Sequence, residues 1–127
     1  MKRIHASLVL MVLLFPALAL GETMDDLVYR DGRYYKKFTV VPFTGNMTGK
    51  TEQGAFRNGK KEGPWVYYYS NGQLSYKVTY KDNKKDGPYV NYYDNGQLGS
   101  KGTYKDGKED GRWVRYWSDG SEVIVED

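Results

Sequence analysis

Trp65-Val66-Tyr67-Tyr68-Tyr69-Ser70-Asn71-Gly72-Gln73-Leu74 carries the architecture of this chain, because it returns twice. Its first echo is Tyr89-Val90-Asn91-Tyr92-Tyr93-Asp94-Asn95-Gly96-Gln97-Leu98, and its second is Trp113-Val114-Arg115-Tyr116-Trp117-Ser118-Asp119-Gly120. The turn glycines Gly72, Gly96 and Gly120 are spaced by 24 residues. Gly63, Gly87 and Gly111 keep the same interval, as do Phe56, Tyr80 and Tyr104. A fixed short period is the signature of a repeat protein, in which each unit buries its apolar surface against its neighbours.

Each unit reads as a β-hairpin. Asn-Gly and Asp-Gly between alternating strands favour a type I′ turn, whose two central residues take positive φ. With Asn71-Gly72 as the loop, Tyr69 is expected opposite Leu74, Tyr67 opposite Tyr76, Trp65 opposite Val78 and Gly63 opposite Tyr80, all on one face. Tyr68 with Ser75 and Val66 with Lys77 fall on the other. The second unit likewise sets Tyr93 against Leu98 and Gly87 against Tyr104. An aromatic ring lying over a strand glycine is a sheet-stabilising device. A second turn joins successive units at Asn58-Gly59, Asp82-Asn83 and Asp106-Gly107, where Asn83 stands in place of Gly as a left-handed position allows.

The expected fold is therefore all-β: tandem 24-residue hairpin repeats forming an elongated antiparallel meander. The repeats are placed at 63–86, 87–110 and 111–127. Before them, 20–62 holds a leading hairpin around Asp31-Gly32 and a degenerate half-repeat running from Pro42-Phe43-Thr44-Gly45 to Ala55-Phe56. On the last strand Glu122 and Glu126 occupy apolar positions of earlier units, and acidic edge residues discourage further pairing.

Met1-Lys2-Arg3 opens the chain, followed by an apolar run from Ile4 to Leu20 broken by His5, Ser7 and Pro16. The run is at the short limit of the roughly 17–25 residues that span a bilayer. Ala17-Leu18-Ala19 has the small-residue spacing of a signal-peptidase site, so 1–19 reads as a signal peptide, cut after 19 or 21, and the chain as exported to a periplasm or the exterior. Removing Lys2 and Arg3 from the 19 basic residues leaves 17 against 16 acidic, a net of +1, so no polyanion partner is implied. With no Cys, the exported domain is held by packing alone; 13 Tyr, 3 Trp and 4 Phe supply it.

Catalytic chemistry finds few carriers. The sole histidine, His5, lies in the signal, so neither a nucleophile relay nor a zinc site of the usual ligands is expected, and no cofactor. Glu62, Asp86 and Asp110 recur at the period. They read either as turn acids beside Lys60, Lys84 and Lys108, or as a glycosidase pair or calcium ladder. Asn58-Gly59-Lys60 lacks the Gly-rich run and helix of a phosphate loop. The aromatic columns Trp65/Tyr89/Trp113 and Tyr69/Tyr93/Trp117 read as packing, with a stacking platform for sugars or bases as the alternative. One stripe differs: Tyr67, Asn91 and Arg115 change while their flanks repeat, and so do their partners Tyr76, Ser100 and Ile124. In a repeat array contact positions vary against a repeating framework, so Tyr67, Tyr76, Asn91, Ser100 and Arg115 are the candidate binding residues, expected on an exposed strip. A solvent face under no constraint is the competing explanation.

The pattern Tyr-x-x-Gly-Lys-x-x-Gly-x-Trp, here at 104–113, followed by Tyr-Tyr-x-Asn-Gly-x-Leu, here at 92–98, resembles the MORN-repeat-variant family, and within it the YwqK-like antitoxin proteins. The Pro42-Phe43-Thr44-Gly45 segment is similar too. The resemblance covers roughly 27–127 and implies a non-enzymatic module that meets an unidentified protein partner, as an immunity partner meets a toxin. A phospholipid-surface binder, as suggested for ordinary MORN arrays, and a glycoside-acting protein using the turn carboxylates are the alternatives. Nucleic acid is not expected as a partner.

Overall fold

Two kinds of tight turn alternate along this chain, and between them they set every hairpin of the repeat array. The computed structural model describes residues 21–126; the signal peptide read at 1–19 lies outside the described residues. Asp31-Gly32, Asn58-Gly59, Asp82-Asn83 and Asp106-Gly107 each place two successive residues at positive φ, between 48° and 84°. That is the type I′ geometry, and it closes two-residue loops between Arg30 and Arg33, Arg57 and Lys60, Lys81 and Lys84, and Lys105 and Lys108.

The Asn71-Gly72 family of turns is different, and corrects the sequence reading. Only the glycine has positive φ there: 88° at Gly72, 88° at Gly96 and 91° at Gly120. The Gly72 amide donates to the Tyr69 carbonyl at 2.9 Å, and the Tyr69 amide donates to the Gln73 carbonyl at 2.8 Å. This is a three-residue loop with a glycine bulge, not a two-residue type I′ loop. Asn71 serves through its side chain instead, its Oδ1 accepting the Gln73 amide at 2.9 Å. The extra residue shifts the register at the loop end, so Tyr68 pairs with Leu74 and Tyr92 with Leu98 rather than Tyr69 and Tyr93. Further from the loop the expected pairs hold: Tyr67 with Tyr76, Trp65 with Val78, Gly63 with Tyr80 and Gly87 with Tyr104.

Ten strands result. β1 (Leu27–Arg30) and β2 (Arg33–Lys36) form the leading hairpin, preceded by a 3₁₀ turn at Met24–Asp26. The other eight make one antiparallel sheet in chain order: β3 (Gly45–Thr48), β4 (Glu52–Arg57), β5 (Lys60–Tyr68), β6 (Leu74–Lys81), β7 (Lys84–Tyr92), β8 (Leu98–Lys105), β9 (Lys108–Tyr116) and β10 (Glu122–Glu126). The protein is thus an all-β antiparallel meander of hairpins. On β10, Glu126 pairs with Trp113 and Glu122 with Tyr116.

The core is a string of rings. Leu27, Phe43, Met47, Phe56, Trp65, Val78, Tyr80 and Trp113 are buried. Centroid contacts of 4.1–6.0 Å run without a gap from Tyr29 through Tyr34, Phe56, Trp65, Tyr67, Tyr76 and Tyr89 to Trp113. Such rings bury large areas at low side-chain entropy cost, which lets one sheet with little Leu hold together. The β1–β2 hairpin lies against the first of them: the Tyr34 amide donates to the Gly59 carbonyl at 2.8 Å, and Asn83 Nδ2 donates to the Gly32 carbonyl at 3.0 Å.

Candidate functional site

The candidate binding residues form one row perpendicular to the strands. Tyr67 pairs with Tyr76, Tyr76 with Asn91, Asn91 with Ser100, Ser100 with Arg115, and Arg115 with Ile124. Each member comes from a different strand, because the 24-residue period advances the sheet by two strands without slipping the register.

The row does not form the exposed strip expected from sequence. Ser100 is buried and the other four are half-buried. Tyr67 stacks on Tyr76 at 4.1 Å and lies 6.0 Å from Trp65, and its hydroxyl accepts a hydrogen bond from Lys61 Nζ at 2.8 Å. Burial pushes its phenol far above the ordinary tyrosine value. Tyr67 and Tyr76 therefore belong to the packed string of rings. The Ser100 hydroxyl donates to Asn91 Oδ1 at 2.7 Å, and the Arg115 guanidinium donates to Glu109 at 2.6 Å while lying 5.2 Å from the ring of Trp113.

The sequence reading missed a second row that explains part of the variation. Lys61 Nζ lies 4.4 Å from the ring of Trp65, 5.3 Å from Tyr67 and 5.2 Å from Tyr80. One repeat on, Lys85 Nζ lies within 5.7 Å of Tyr76, Tyr89 and Tyr104. In the third repeat the equivalent residue is Glu109, and the cation is Arg115. The position six residues before the stripe is lysine in the first two repeats, Lys61 and Lys85, and Glu109 in the third, where the stripe carries Arg115. A cation sits over rings in every repeat, though not from the same position. Desolvation lowers the Lys61 ammonium from its usual value.

The turn carboxylates are engaged in structure. Glu62 accepts the Asp82 amide at 3.0 Å and Asp86 the Asp106 amide at 3.3 Å, so each caps the following connecting turn. Among the described residues no group of three or more His, Cys, Asp and Glu is placed to hold a metal ion.

At the loop end of the row the packing opens. Asn91, Ser100 and Arg115 line a cleft of about 370 Å³ walled by Tyr69, Tyr93 and Trp117. Tyr69 and Tyr93 are fixed by their hydroxyls, which donate to the carbonyls of Tyr92 at 2.7 Å and Tyr116 at 2.8 Å in the next hairpin. Trp117, on the last hairpin, is 59% exposed. The C-terminal half of the predicted row thus meets an exposed aromatic residue, whereas its N-terminal half is packed.

The MORN repeat variant family matches residues 61–82 and 85–106, two adjacent stretches offset by the same 24 residues. They run from the strand carrying Lys61 and Trp65 to the strand carrying Ser100 and Tyr104, so the chain carries a repeat-based binding or structural module. No curated protein matches the chain.

Proposed function

We propose that this chain is an exported, non-enzymatic binding module that holds a protein partner in the cleft between Tyr93 and Trp117. The observation that supports it is the convergence of Asn91, Ser100 and Arg115, three of the residues that vary between repeats, on the wall of one cleft beside an exposed tryptophan. Trp and Arg dominate interface energetics when they sit centrally in a contact. Arg115 is held in place beforehand by Glu109 and the Trp113 ring, which reduces the ordering a partner has to impose. With its Oδ1 taken by Ser100, Asn91 keeps its amide N–H donors, and with the Arg115 guanidinium these suit a partner loop offering carbonyl and carboxylate oxygens. An immunity-type complex with a toxin, implied by the likeness to YwqK-like antitoxins, is one form this binding would take.

The test is affinity capture from envelope extracts with the full chain and its Arg115→Ala and Trp117→Ala variants, read by mass spectrometry. A specific protein held by the wild type and lost from both variants, with Trp117→Ala melting like the wild type and Arg115→Ala only slightly lower, is the expected result. Equal capture by all three removes the cleft from the binding surface.

A further inference from the structure

Asn83 takes the second place of a type I′ turn with φ of 70°, where Gly32, Gly59 and Gly107 stand in the others. Its side chain accounts for the exchange. Oδ1 accepts the Lys61 amide at 2.7 Å, and Nδ2 donates to the Gly32 carbonyl at 3.0 Å. Asn83 therefore fastens the β1–β2 hairpin over the first repeat. A glycine there could make neither bond, and one repeat on the equivalent residue is Gly107.

Beneath the fastened hairpin lies a mostly polar hollow of about 210 Å³, lined by Tyr29 and Tyr34 from the hairpin and by Lys61, Tyr80 and Asn83 from the sheet. It has the room of about seven waters at ~30 Å³ each. Lys61 is half-buried, and one of its N–H donors goes to the Tyr67 hydroxyl at 2.8 Å. Among the described residues neither Lys61 nor Lys85 makes an ion pair. Desolvation, and with it the charge of Lys85, disfavours the Lys61 ammonium, while Glu52 favours it. Two ammoniums and one carboxylate thus act at this spot, an excess of one positive charge. An anion entering the hollow offsets that excess, and its attraction is strongest where water is partly excluded. Burial first, then Tyr29, Glu52 and Tyr80, raise the Tyr34 phenol, so its hydroxyl stays a donor at neutral pH.

We infer that this hollow binds a small free monocarboxylate, with Lys61 as its counter-charge and the Tyr29 and Tyr34 hydroxyls donating to its oxygens. One negative charge matches the local excess, and the tyrosine rings flank the body of the acid. Lys85 and Tyr104 stand at the equivalent places one repeat on, but Gly107 has no side chain to fasten a roof over them. The site is separate from the cleft at Trp117, and neither reading depends on the other.

The test is a titration of the full chain, isotope-labelled for amide NMR at neutral pH, with propanoate and benzoate as probes and benzylammonium as the probe of opposite charge. Both acids should shift the amides of Lys61 and Asn83 to saturation, with little effect at Lys85 and Gly107, and benzylammonium should shift none of them. Lys61→Met keeps an unbranched stem against the rings and should weaken binding about tenfold or more, as loss of a charged hydrogen-bond donor does. Tyr34→Phe keeps the ring on Phe56 and should weaken binding about threefold or more. Asn83→Gly restores the turn residue of the other repeats, unfastens the roof and should also weaken binding. If Lys61→Met does not fold, the last two variants decide. No saturable shift with either acid, shifts that survive all three substitutions, or an equal response to benzylammonium would each overturn the site. Shifts confined to Asn91, Ser100 and Arg115 overturn it too and assign the carboxylate to the cleft. A response only to a peptide with a free C-terminal carboxylate overturns the small-molecule reading in favour of a chain end.

Discussion

The indole of Trp113 lies on Gly102, so close that a Cβ at that glycine would collide with the ring, and its Nε1 donates to the neighbouring Thr103 carbonyl at 3.1 Å. Trp65 repeats the arrangement on Gly54, donating to the Ala55 carbonyl at 3.1 Å. In the repeat between them the pair is Val78 and Tyr89. The larger indole comes with glycine and the smaller phenol with valine, so ring size and facing side chain are matched repeat by repeat.

That matching gives a reciprocal expectation. Gly102→Ala should destabilise by about 1–3 kcal/mol through overpacking against Trp113. Trp113→Tyr in the same chain should recover part of the loss, because it recreates the smaller ring of the middle repeat. A double-mutant cycle by urea unfolding measures the coupling; additive effects would show that the two residues do not press on each other.

The long turns offer a second check. Gly72→Val and Gly96→Val should each cost about 1–3 kcal/mol, because a β-branched residue is strained at positive φ. Asn95 does two jobs: its Oδ1 accepts the Gln97 amide at 2.9 Å and its Nδ2 donates to the Ser118 carbonyl of the next turn at 3.1 Å. Asn95→Asp keeps the first and loses the second, so a loss of about 0.5–1.5 kcal/mol is expected. Asp119→Asn should be nearly neutral, since an Asn Oδ1 there can still accept the Ser121 amide, and among the described residues no later turn offers its new amide a carbonyl. Equal losses at the two positions would separate the turn-to-turn bond from stability.

The period, the strand order and most of the register could be read from the recurring Asn-Gly and Asp-Gly pairs. The turn types could not, because the same dipeptide serves a type I′ loop and a glycine bulge. What separates them is the preceding residue: Arg57, Lys81 and Lys105 lead straight from a strand, whereas Ser70, Asp94 and Ser118 are themselves inside the loop. The site was legible as a row because pairing follows from the register. Its burial was not, since Lys61 and Lys85 look in sequence like solvated turn residues rather than cations over rings. The exchange of the lysine at 61 and 85 for Glu109 in the one repeat whose stripe carries Arg115 was the available signal.

The ring string makes stability fall in alkali. Burial raises the phenols of Tyr34, Tyr67, Tyr76 and Tyr104 above the ordinary value of 10.0 and pushes Tyr89 up to about 12. Above that ordinary value the unfolded chain loses protons that the folded chain keeps, so unfolding becomes progressively more favourable as pH rises through the folded values. Lys61 acts in the opposite sense, its desolvation penalty fading as pH climbs towards 10.5, but it is one group against five. Urea unfolding should show little pH dependence between about pH 7 and 9 and a steep loss above 10. Tyr89→Phe should flatten that loss, and an unchanged slope would place the alkaline response elsewhere.

The predicted row should divide when truncated. Trp65→Ala empties a fully buried site and should destabilise by about 3–5 kcal/mol. Tyr67→Ala removes a ring stacked on Tyr76 and the hydrogen-bond acceptor of Lys61, leaving that ammonium among apolar rings, so it should cost about 2–4 kcal/mol. Arg115→Ala breaks a half-exposed pair with Glu109, worth about 1 kcal/mol or less. Trp117→Ala removes a ring that is mostly in solvent and should leave melting unchanged. Partner capture should follow the reverse order, with Arg115 and Trp117 carrying it. Melting and capture measured on all four variants separate packing from recognition. If Tyr67→Ala melts like the wild type and loses the partner, the ring string itself is the binding surface and the cleft at Trp117 is not.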